Sequence, residues 1–362
     1  MSRSRNRHGR RERGRRIGVR GALITGVVSL SVALAGCVGG SASGSDSGTA
    51  DGAGGTQLHL VGYSTPKTAN DAAEQAFAAT DAGKGVTWQE SYGASGDQSR
   101  AVAGGLAADY VNFSTPPDMT RLADAGIVNA DWDSGPTKGI VNDTVVVMVV
   151  RPGNPQHITG WDDLVKPGIK IVTPNPSSSG SARWNILAAY QQVITSGGSK
   201  ADAEAYLKKF FKNVQSLPTS GREATNAFLK GDADVLLSYE NEAILARQSG
   251  EKLDYLVPSS TLLIETPGAV TKKANAKATD FLHYVLSPAG QAIYQQYGFR
   301  PVISDAEKVT VKGANDPNDP FPKPDHLSTV ADMGGWPTVS KAFFDPDTGL
   351  VPKIQAETGK TQ

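Results

Sequence analysis

The chain has 362 residues with 36 basic and 36 acidic side chains, so its formal net charge is zero. That zero hides an asymmetry, because residues 1–36 hold nine arginines and one glutamate, and the remaining 326 residues therefore carry a net charge of −8. An acidic body argues against a nucleic-acid-binding protein, which would present a net basic face. A single cysteine excludes an intrachain disulfide and a cysteine-clustered zinc or iron–sulfur site. The 326 residues are enough for two domains, each with its own core.

The N-terminus has the pattern of an export signal. An arginine-rich stretch at 3–20 precedes an apolar run at 21–35, which is shorter than the about 20 residues of a membrane span. The run ends in Leu-Ala-Gly-Cys at 34–37, which resembles the bacterial lipobox. We therefore predict a signal peptide at 1–36, a lipid-modified Cys37 and a flexible Gly- and Ser-rich linker at 37–55. We expect the protein to be exported and held by lipid at the outer face of the cell membrane.

From residue 57 onward, short apolar strands alternate with amphipathic helices. Strands are predicted at 58–61, 86–89, 109–113, 145–150, 170–173 and 234–239. Helices are predicted at 71–80, 101–107, 182–194, 206–211, 240–248 and 274–286. This alternation predicts an α/β fold with parallel sheets buried on both faces.

The length of the body suggests two lobes. We assign 56–145 together with 267–362 to lobe I, and 146–266 to lobe II. The stretch at 316–325 is rich in proline and polar residues, so we expect the C-terminal region to be mostly irregular or peripheral.

Three loops combine a preceding strand, a Ser- and Gly-rich sequence and a following helix, at 91–98, 173–184 and 220–223. Ser95 and Ser220 each stand three residues before a Gln or Glu, which is the spacing of a capping box. Each helix start leaves unpaired backbone N–H groups and about half a positive charge, and small residues let an oxyanion approach that backbone. Serine also caps helices in proteins that bind no anion, and spacing alone leaves open whether the three loops converge.

Six strings between residues 58 and 302 carry a resemblance to a known family. They are SYGASGDQ at 91–98, WDDLVKPG at 161–168, IVTPNP at 171–176, SGSARWN at 179–185, DVLLSYENEA at 234–243 and GFRPV at 298–302. In this order and at similar intervals, they resemble the sulfate-binding proteins of bacterial sulfate/thiosulfate ABC importers. The arginine-rich leader and the lipobox look like those of an actinobacterial lipoprotein version.

The resemblance implies a two-lobed periplasmic-binding-protein-like fold of type II, with a hinge between two mixed or parallel sheets near 145 and 267. It also implies a sulfate ion buried between the lobes and held by uncharged donors, many of them at helix N-termini. The implied sulfate-binding residues are Ser64, Ser95, Ser179, Gly180, Ser181, Gly221, Arg222 and Tyr239.

Some of these positions depart from the family pattern. Ser181 stands where the family commonly has a second glycine, and the loop that contains Gly221 is shorter than the pattern. Tyr239 stands where the family has a tryptophan whose indole N–H donates; a phenol can donate or accept, so Tyr239 can still supply a hydrogen bond. Two roles stay open for Arg222, a contact with the anion or an ion pair that holds the loops.

The residue types in these loops favour sulfate for a chemical reason. Sulfate is a fully deprotonated dianion at neutral pH and only accepts hydrogen bonds, whereas hydrogenphosphate carries a proton that needs an acceptor. A pocket of donors alone leaves a buried donor unpaired against hydrogenphosphate, at a cost of about 1–3 kcal/mol. We predict that no Asp or Glu lines the pocket and that thiosulfate is accepted as well. Molybdate and phosphate are the alternative ligands.

The resemblance also implies partners, namely the permease subunits of an ABC importer and their ATPase. This chain has no Gly-rich Lys-Ser/Thr phosphate loop, so the ATPase must be another protein. It has no G-x-S-x-G or H-E-x-x-H motif, which argues against an enzyme. We expect no cofactor, no metal, no nucleic acid and a monomer. A secreted enzyme and a lipoprotein adhesin are the alternative functions.

Overall fold

The computed structural model of the protein describes residues 55–361. The predicted signal peptide, Cys37 and the linker as far as residue 54 lie outside the described residues. Within 55–361, no helix combines the length and the apolar character that crossing a membrane requires.

Lobe I is built on three parallel strands with β1 between the other two. The strands are β1 (Thr56–Tyr63), β2 (Val86–Gly93) and β3 (Tyr110–Asn112), and the helices that follow them are α1 (Lys67–Ala78), α2 (Ser95–Ala103) and α3 (Pro116–Asp124). Leu58 and Leu60 pack with α1, whereas Val61 packs with α2 and α3 on the opposite face. The strand is therefore buried on both faces, as its apolar sequence predicts.

Lobe II surrounds a second group of strands. These are β5 (Ile171–Val172), β6 (Val214–Ser216), β7 (Val235–Tyr239) and β8 (Asp254–Leu256), with helices α4 (Gly180–Thr195), α5 (Lys200–Asn213), α6 (Gly221–Lys230) and α7 (Glu240–Gln248). The strand β5 pairs in parallel with β6 and β7. Helices α4 and α5 cover one face of this sheet, and α6 and α7 cover the other.

Two long strands join the lobes. They are β4 (Ile140–Val150) and β9 (Ser260–Val270), which pair antiparallel with each other over 140–145. Beyond Val145 the partners of β4 are β7 and β8, and beyond Pro267 the partner of β9 is β3. All the strands thus form one mixed sheet in which only β4 and β9 are shared. We propose these two strands as the hinge.

After β9 the chain returns to lobe I. Helices α8 (Ala276–Val285) and α9 (Pro288–Gln296) pack beside α1. Phe281 lies at the centre of this contact, with its ring centroid 5.4 Å from that of Phe77 and 4.6 Å from that of Trp88.

The C-terminal region differs from its expected place in lobe I. From residue 309 it packs on lobe II, because Val311 is buried in the cluster of α6 and α7 while Val351 and Ile354 are buried in the cluster of α4 and α5. It is also more regular than predicted. A short strand β10 (His326–Ser328) pairs with β9, and helices α10 (Gly335–Val339) and α11 (Leu350–Thr358) follow. The apolar residues of this region, such as Val351 and Ile354, stand among prolines and glycines. The sequence therefore did not predict that they share one buried face.

The packing of α11 predicts a stability effect close to the C-terminus. We expect Ile354→Ala to lower the free energy of unfolding by about 2–5 kcal/mol, since it leaves a cavity in the core of lobe II. Urea unfolding measures this change. The adjacent exposed Lys353 provides the matched control, and Lys353→Ala should shift the free energy by less than about 0.5 kcal/mol. Equal effects of the two substitutions would contradict the packing of α11 on lobe II.

Candidate functional site

The three Ser- and Gly-rich loops converge on one small pocket between the lobes. It lies at the carboxyl ends of β1, β2 and β3, opposite the starts of α4 and α6. Its lining residues are Tyr63, Ser64, Thr65, Gly93, Ala94, Ser95, Ser114, Ser179, Gly180, Ser181, Ser220 and Gly221. None of the twelve is Asp, Glu, Lys, Arg or His. Ligands of α/β proteins bind in such a position, outside the carboxyl ends of the strands.

Two glycines allow the loops around the pocket to approach one another closely. A Cβ atom at Gly180 would lie 2.5 Å from the Oγ of Ser114, and one at Gly221 would lie 2.7 Å from the Oγ of Ser181. Both distances are shorter than a van der Waals contact. Any larger residue would therefore push the loops apart or block the pocket.

The start of α4 supplies the most distinctive feature of the pocket. Ser179 is the N-cap residue, but its side chain makes no capping hydrogen bond, and Gly180 and Ser181 open the helix. All three are buried. The first N–H groups of a helix have no partner within the helix, and a buried helix end without a cap requires another acceptor. This first turn can therefore bind an anion through its backbone.

The start of α6 is capped differently. The Ser220 hydroxyl accepts a hydrogen bond of 3.2 Å from the N–H of Glu223, so Ser220 is occupied as a cap. Gly221, the first residue of α6, lines the pocket. The helix start thus offers backbone donors rather than the serine side chain.

In lobe I, the predicted residues Ser64 and Ser95 both line the pocket, but with restricted roles. The N–H of Ser64 donates to the carbonyl of Gly93 at 2.9 Å. The Ser95 hydroxyl donates to the Asp118 carboxylate at 2.7 Å and accepts from the N–H of Ser114 at 2.9 Å. The Ser95 side chain is consequently engaged behind the pocket, which leaves its backbone N–H at the start of α2 as the group that can face a ligand.

Arg222 does not line the pocket, so of its two open roles the ion pair is the one observed. Its guanidinium donates to the Glu242 carboxylate through Nε at 3.0 Å and through Nη2 at 2.7 Å. The Glu242 carboxylate raises the pKa of Arg222 above its ordinary value. The same Nη2 reaches the carbonyl oxygen of Thr65 in lobe I at 3.2 Å. Arg222 therefore links the lobes beside the pocket.

Tyr239 lies behind the pocket wall rather than in it. Its hydroxyl and that of Ser114 form a hydrogen bond of 2.7 Å, and it is Ser114 that lines the pocket. Burial raises the pKa of Tyr239, while hydrogen bonds to Ser114 and Ser181 oppose that shift. The phenol remains neutral at physiological pH.

The lobes are closed on one another in this structure. Besides the bonds of Arg222 and Tyr239, the indole N–H of Trp184 donates to the carbonyl of Ser114 at 2.8 Å. The N–H of Gly96 donates to the carbonyl of Ser178 at 3.1 Å. These direct contacts cross from lobe I to lobe II and hold the two sides of the pocket together.

Six lining residues were not assigned from the sequence. Gly93, Ala94 and Ser220 lie within the loops singled out there, whereas Tyr63, Thr65 and Ser114 lie outside them. Tyr63 and Thr65 flank Ser64 at the end of β1, and Ser114 follows β3, so the ends of the parallel strands were the signal that could have found these three. The hydroxyl oxygens of Tyr63 and Thr65 are buried without a hydrogen-bond partner among the described residues. Within the same part of the chain, no group of three or more His, Cys, Asp or Glu side chains could hold a metal ion.

Comparisons with known proteins agree with this architecture. The chain matches the family of bacterial extracellular solute-binding proteins over residues 58–300. The sulfate-binding protein of Synechococcus elongatus is 39% identical over 83% of this chain and 86% of that protein. The thiosulfate-binding protein of Pseudomonas aeruginosa is 35% identical over 77% of this chain and 85% of that protein. The solved structure of the sulfate-binding protein SubI from Mycobacterium tuberculosis is 44% identical with a TM-score of 0.75, and the match covers 80% of this chain and 100% of that chain.

The chain therefore belongs to the bacterial extracellular solute-binding proteins and, among them, to the family of sulfate-binding proteins. Its α/β fold is that of the periplasmic binding proteins. Membership of an extracellular family makes it an exported protein.

The ion pair beside the pocket predicts a stability effect. The Glu242 side chain is 2% exposed and that of Arg222 is 30% exposed. We expect Arg222→Ala to lower the free energy of unfolding by about 2–3 kcal/mol, because a buried carboxylate loses its partner and the partial exposure of Arg222 moderates the loss. Urea unfolding measures it. Adding Glu242→Gln should restore part of the stability, since the unpaired charge is then removed. A double variant less stable than Arg222→Ala alone would contradict this explanation.

Proposed function

We propose that this protein captures sulfate, and thiosulfate as a second ligand, in the pocket between its lobes and delivers it to an ABC importer. The observation that carries the proposal is the buried, uncapped first turn of α4 in a pocket whose twelve lining residues include no charged side chain. Relatives that share most of the chain are named for sulfate and thiosulfate, which favours these ligands over molybdate and phosphate.

The pocket suits a ligand that only accepts hydrogen bonds. Backbone N–H groups at the starts of α2, α4 and α6 can donate but cannot accept. The hydroxyls of Ser179, Thr65 and Ser114 can rotate to donate as well. Sulfate satisfies such donors with its four oxygens and needs no proton acceptor. Hydrogenphosphate carries a proton, and the pocket offers no carboxylate to accept it. Where that P–O–H group faces a backbone N–H group, two donors meet and the contact is unfavourable.

Local polarity rather than net charge explains how an acidic protein binds a dianion. The body carries a net charge of −8, so long-range attraction opposes capture. The N-terminus of a helix carries about half a positive charge, and two such helix starts face the pocket from lobe II alone. Because the lobes exclude water when they close, these partial charges act at low dielectric constant and are screened little by salt.

Delivery requires export, anchoring and opening. We propose that Cys37 carries the lipid that holds the mature protein at the outer membrane face and that residues 37–55 form its linker. Opening about β4 and β9 would break the direct bonds between the lobes, such as that of Trp184 with Ser114. The closed, loaded monomer is then the form that the permease subunits recognise, and a separate ATPase supplies the energy.

Calorimetry tests which anion the pocket binds. Residues 53–362 form one compact unit and can be titrated with sulfate, thiosulfate, phosphate and molybdate. We expect tight binding of sulfate and much weaker binding of phosphate. The affinity should change little between about pH 5 and 8, because the only titratable lining residue is Tyr63, whose pKa burial raises further above its ordinary value. Phosphate binding as tight as sulfate binding would refute the proposed selectivity.

Substitutions at the start of α4 test the pocket. Ser179→Ala should weaken sulfate binding by about 1–3 kcal/mol, because it removes a hydroxyl donor and leaves the fold intact. Gly180→Ala should weaken it more, since the new methyl group collides with the Ser114 side chain. Ser177 is exposed in the same loop and does not line the pocket, so Ser177→Ala is the matched control. Unchanged affinity in both α4 variants would place the sulfate elsewhere.

A further inference from the structure

Thr65 is a buried polar residue without an internal partner. It follows the end of β1, lines the pocket, and is 1% exposed. Its hydroxyl oxygen has no hydrogen-bond partner among residues 55–361. Buried hydroxyl groups in native proteins are almost always hydrogen-bonded, so an exception requires an explanation.

The position of Thr65 aims its hydroxyl at the space between the lobes. A Cβ atom on Gly221, at the start of α6, would lie 3.3 Å from the Thr65 Oγ1. The hydroxyl thus faces the backbone donors of lobe II across the pocket. Since N–H groups offer no lone pair and the hydroxyl offers a proton, an acceptor placed between them satisfies both.

The backbone of Thr65 is held in place by lobe II. Its carbonyl oxygen accepts the hydrogen bond of 3.2 Å from Arg222, and Arg222 is itself fixed by the Glu242 carboxylate. The carbonyl is therefore occupied on one side, and the hydroxyl is left to point into the pocket. Thr65 therefore belongs to lobe I, but its carbonyl is bonded to Arg222 of lobe II and its side chain lines the pocket.

From this geometry we infer that the Thr65 hydroxyl donates a hydrogen bond to the bound tetrahedral dianion, a residue that the family resemblance does not assign. The inference rests on the proposed sulfate-binding function. In the closed form the anion is held by α4 and α6 of lobe II and by Thr65 of lobe I. The bound anion therefore stabilises the closed form over the open one, in which these groups separate.

The test uses calorimetry with sulfate on residues 53–362, which form one compact unit. Thr65→Val replaces the hydroxyl by a methyl group of similar size and should raise the Kd about 10- to 100-fold, the range for a hydrogen bond to a charged group. Thr65→Ser keeps the hydroxyl and should stay within about threefold of the parent. Thr68→Val is the matched control, because Thr68 lies in α1 outside the pocket.

Thermal unfolding separates ligand contact from a structural role. Without sulfate, Thr65→Val should be as stable as the parent or more stable, since it removes an unpaired buried hydroxyl. With saturating sulfate, its rise in Tm should be smaller than that of the parent. If Thr65→Val does not fold, Thr65→Ala takes its place against Thr65→Ser.

The outcomes distinguish this inference from the proposed function. If the parent binds sulfate and Thr65→Val binds it within about threefold, the role of Thr65 is refuted and the function stands. If the parent does not bind sulfate, the proposed function fails. A Thr65→Val variant that loses both affinity and ligand-free stability also refutes the inference, because the residue then acts through the fold.

Discussion

The starts of α4 and α6 meet lobe I at distances that leave room only for backbone and small hydroxyl side chains. Gly180 approaches Ser114 so closely that a single added carbon atom would collide, and a Cβ atom on Gly221 would lie 3.3 Å from the Oγ1 of Thr65. This steric limit decides the chemistry of the pocket. When long side chains are excluded, the groups that remain are N–H donors at helix ends and rotating hydroxyls, and these groups suit an acceptor-only anion.

The charged residues near the pocket act on the lobes instead. Arg222 pairs with Glu242 on one side of the pocket, and Arg300 of lobe I pairs with the fully buried Glu240 of lobe II at 2.8 Å. Burial raises the pKa of Glu240, and the charge of Arg300 opposes that shift. Glu240 and Glu242 belong to the string DVLLSYENEA, and Arg300 belongs to GFRPV. Neither string lines the pocket. A family resemblance by itself does not separate residues that hold elements together from residues that contact the ligand.

The fold was predictable where one physical signal dominated. Apolar runs indicated the strands, and β1 and β4 are buried on both faces as a parallel or mixed sheet requires. The start of α4 near residue 180 was predictable because a Ser- and Gly-rich loop lies between an apolar strand and a helical pattern. The place of the C-terminal region was not, because α11 is joined to lobe II only through contacts with residues far away in the chain, such as that of Lys208 with Glu357.

The sequence by itself determined the composition of the pocket, in that the loops with small residues at 91–98, 179–181 and 220–221 supply most of its wall. It also determined that an acidic body must bind through local dipoles. Only the tertiary structure decided which atoms face inward. Ser95 donates to Asp118, Tyr239 bonds to Ser114, and the Thr65 hydroxyl has no partner among residues 55–361, although all three are polar residues at the ends of strands or starts of helices. The reason is that a side chain's direction depends on partners brought close by folding, and hydrogen bonds form between neighbours in space regardless of their separation in sequence.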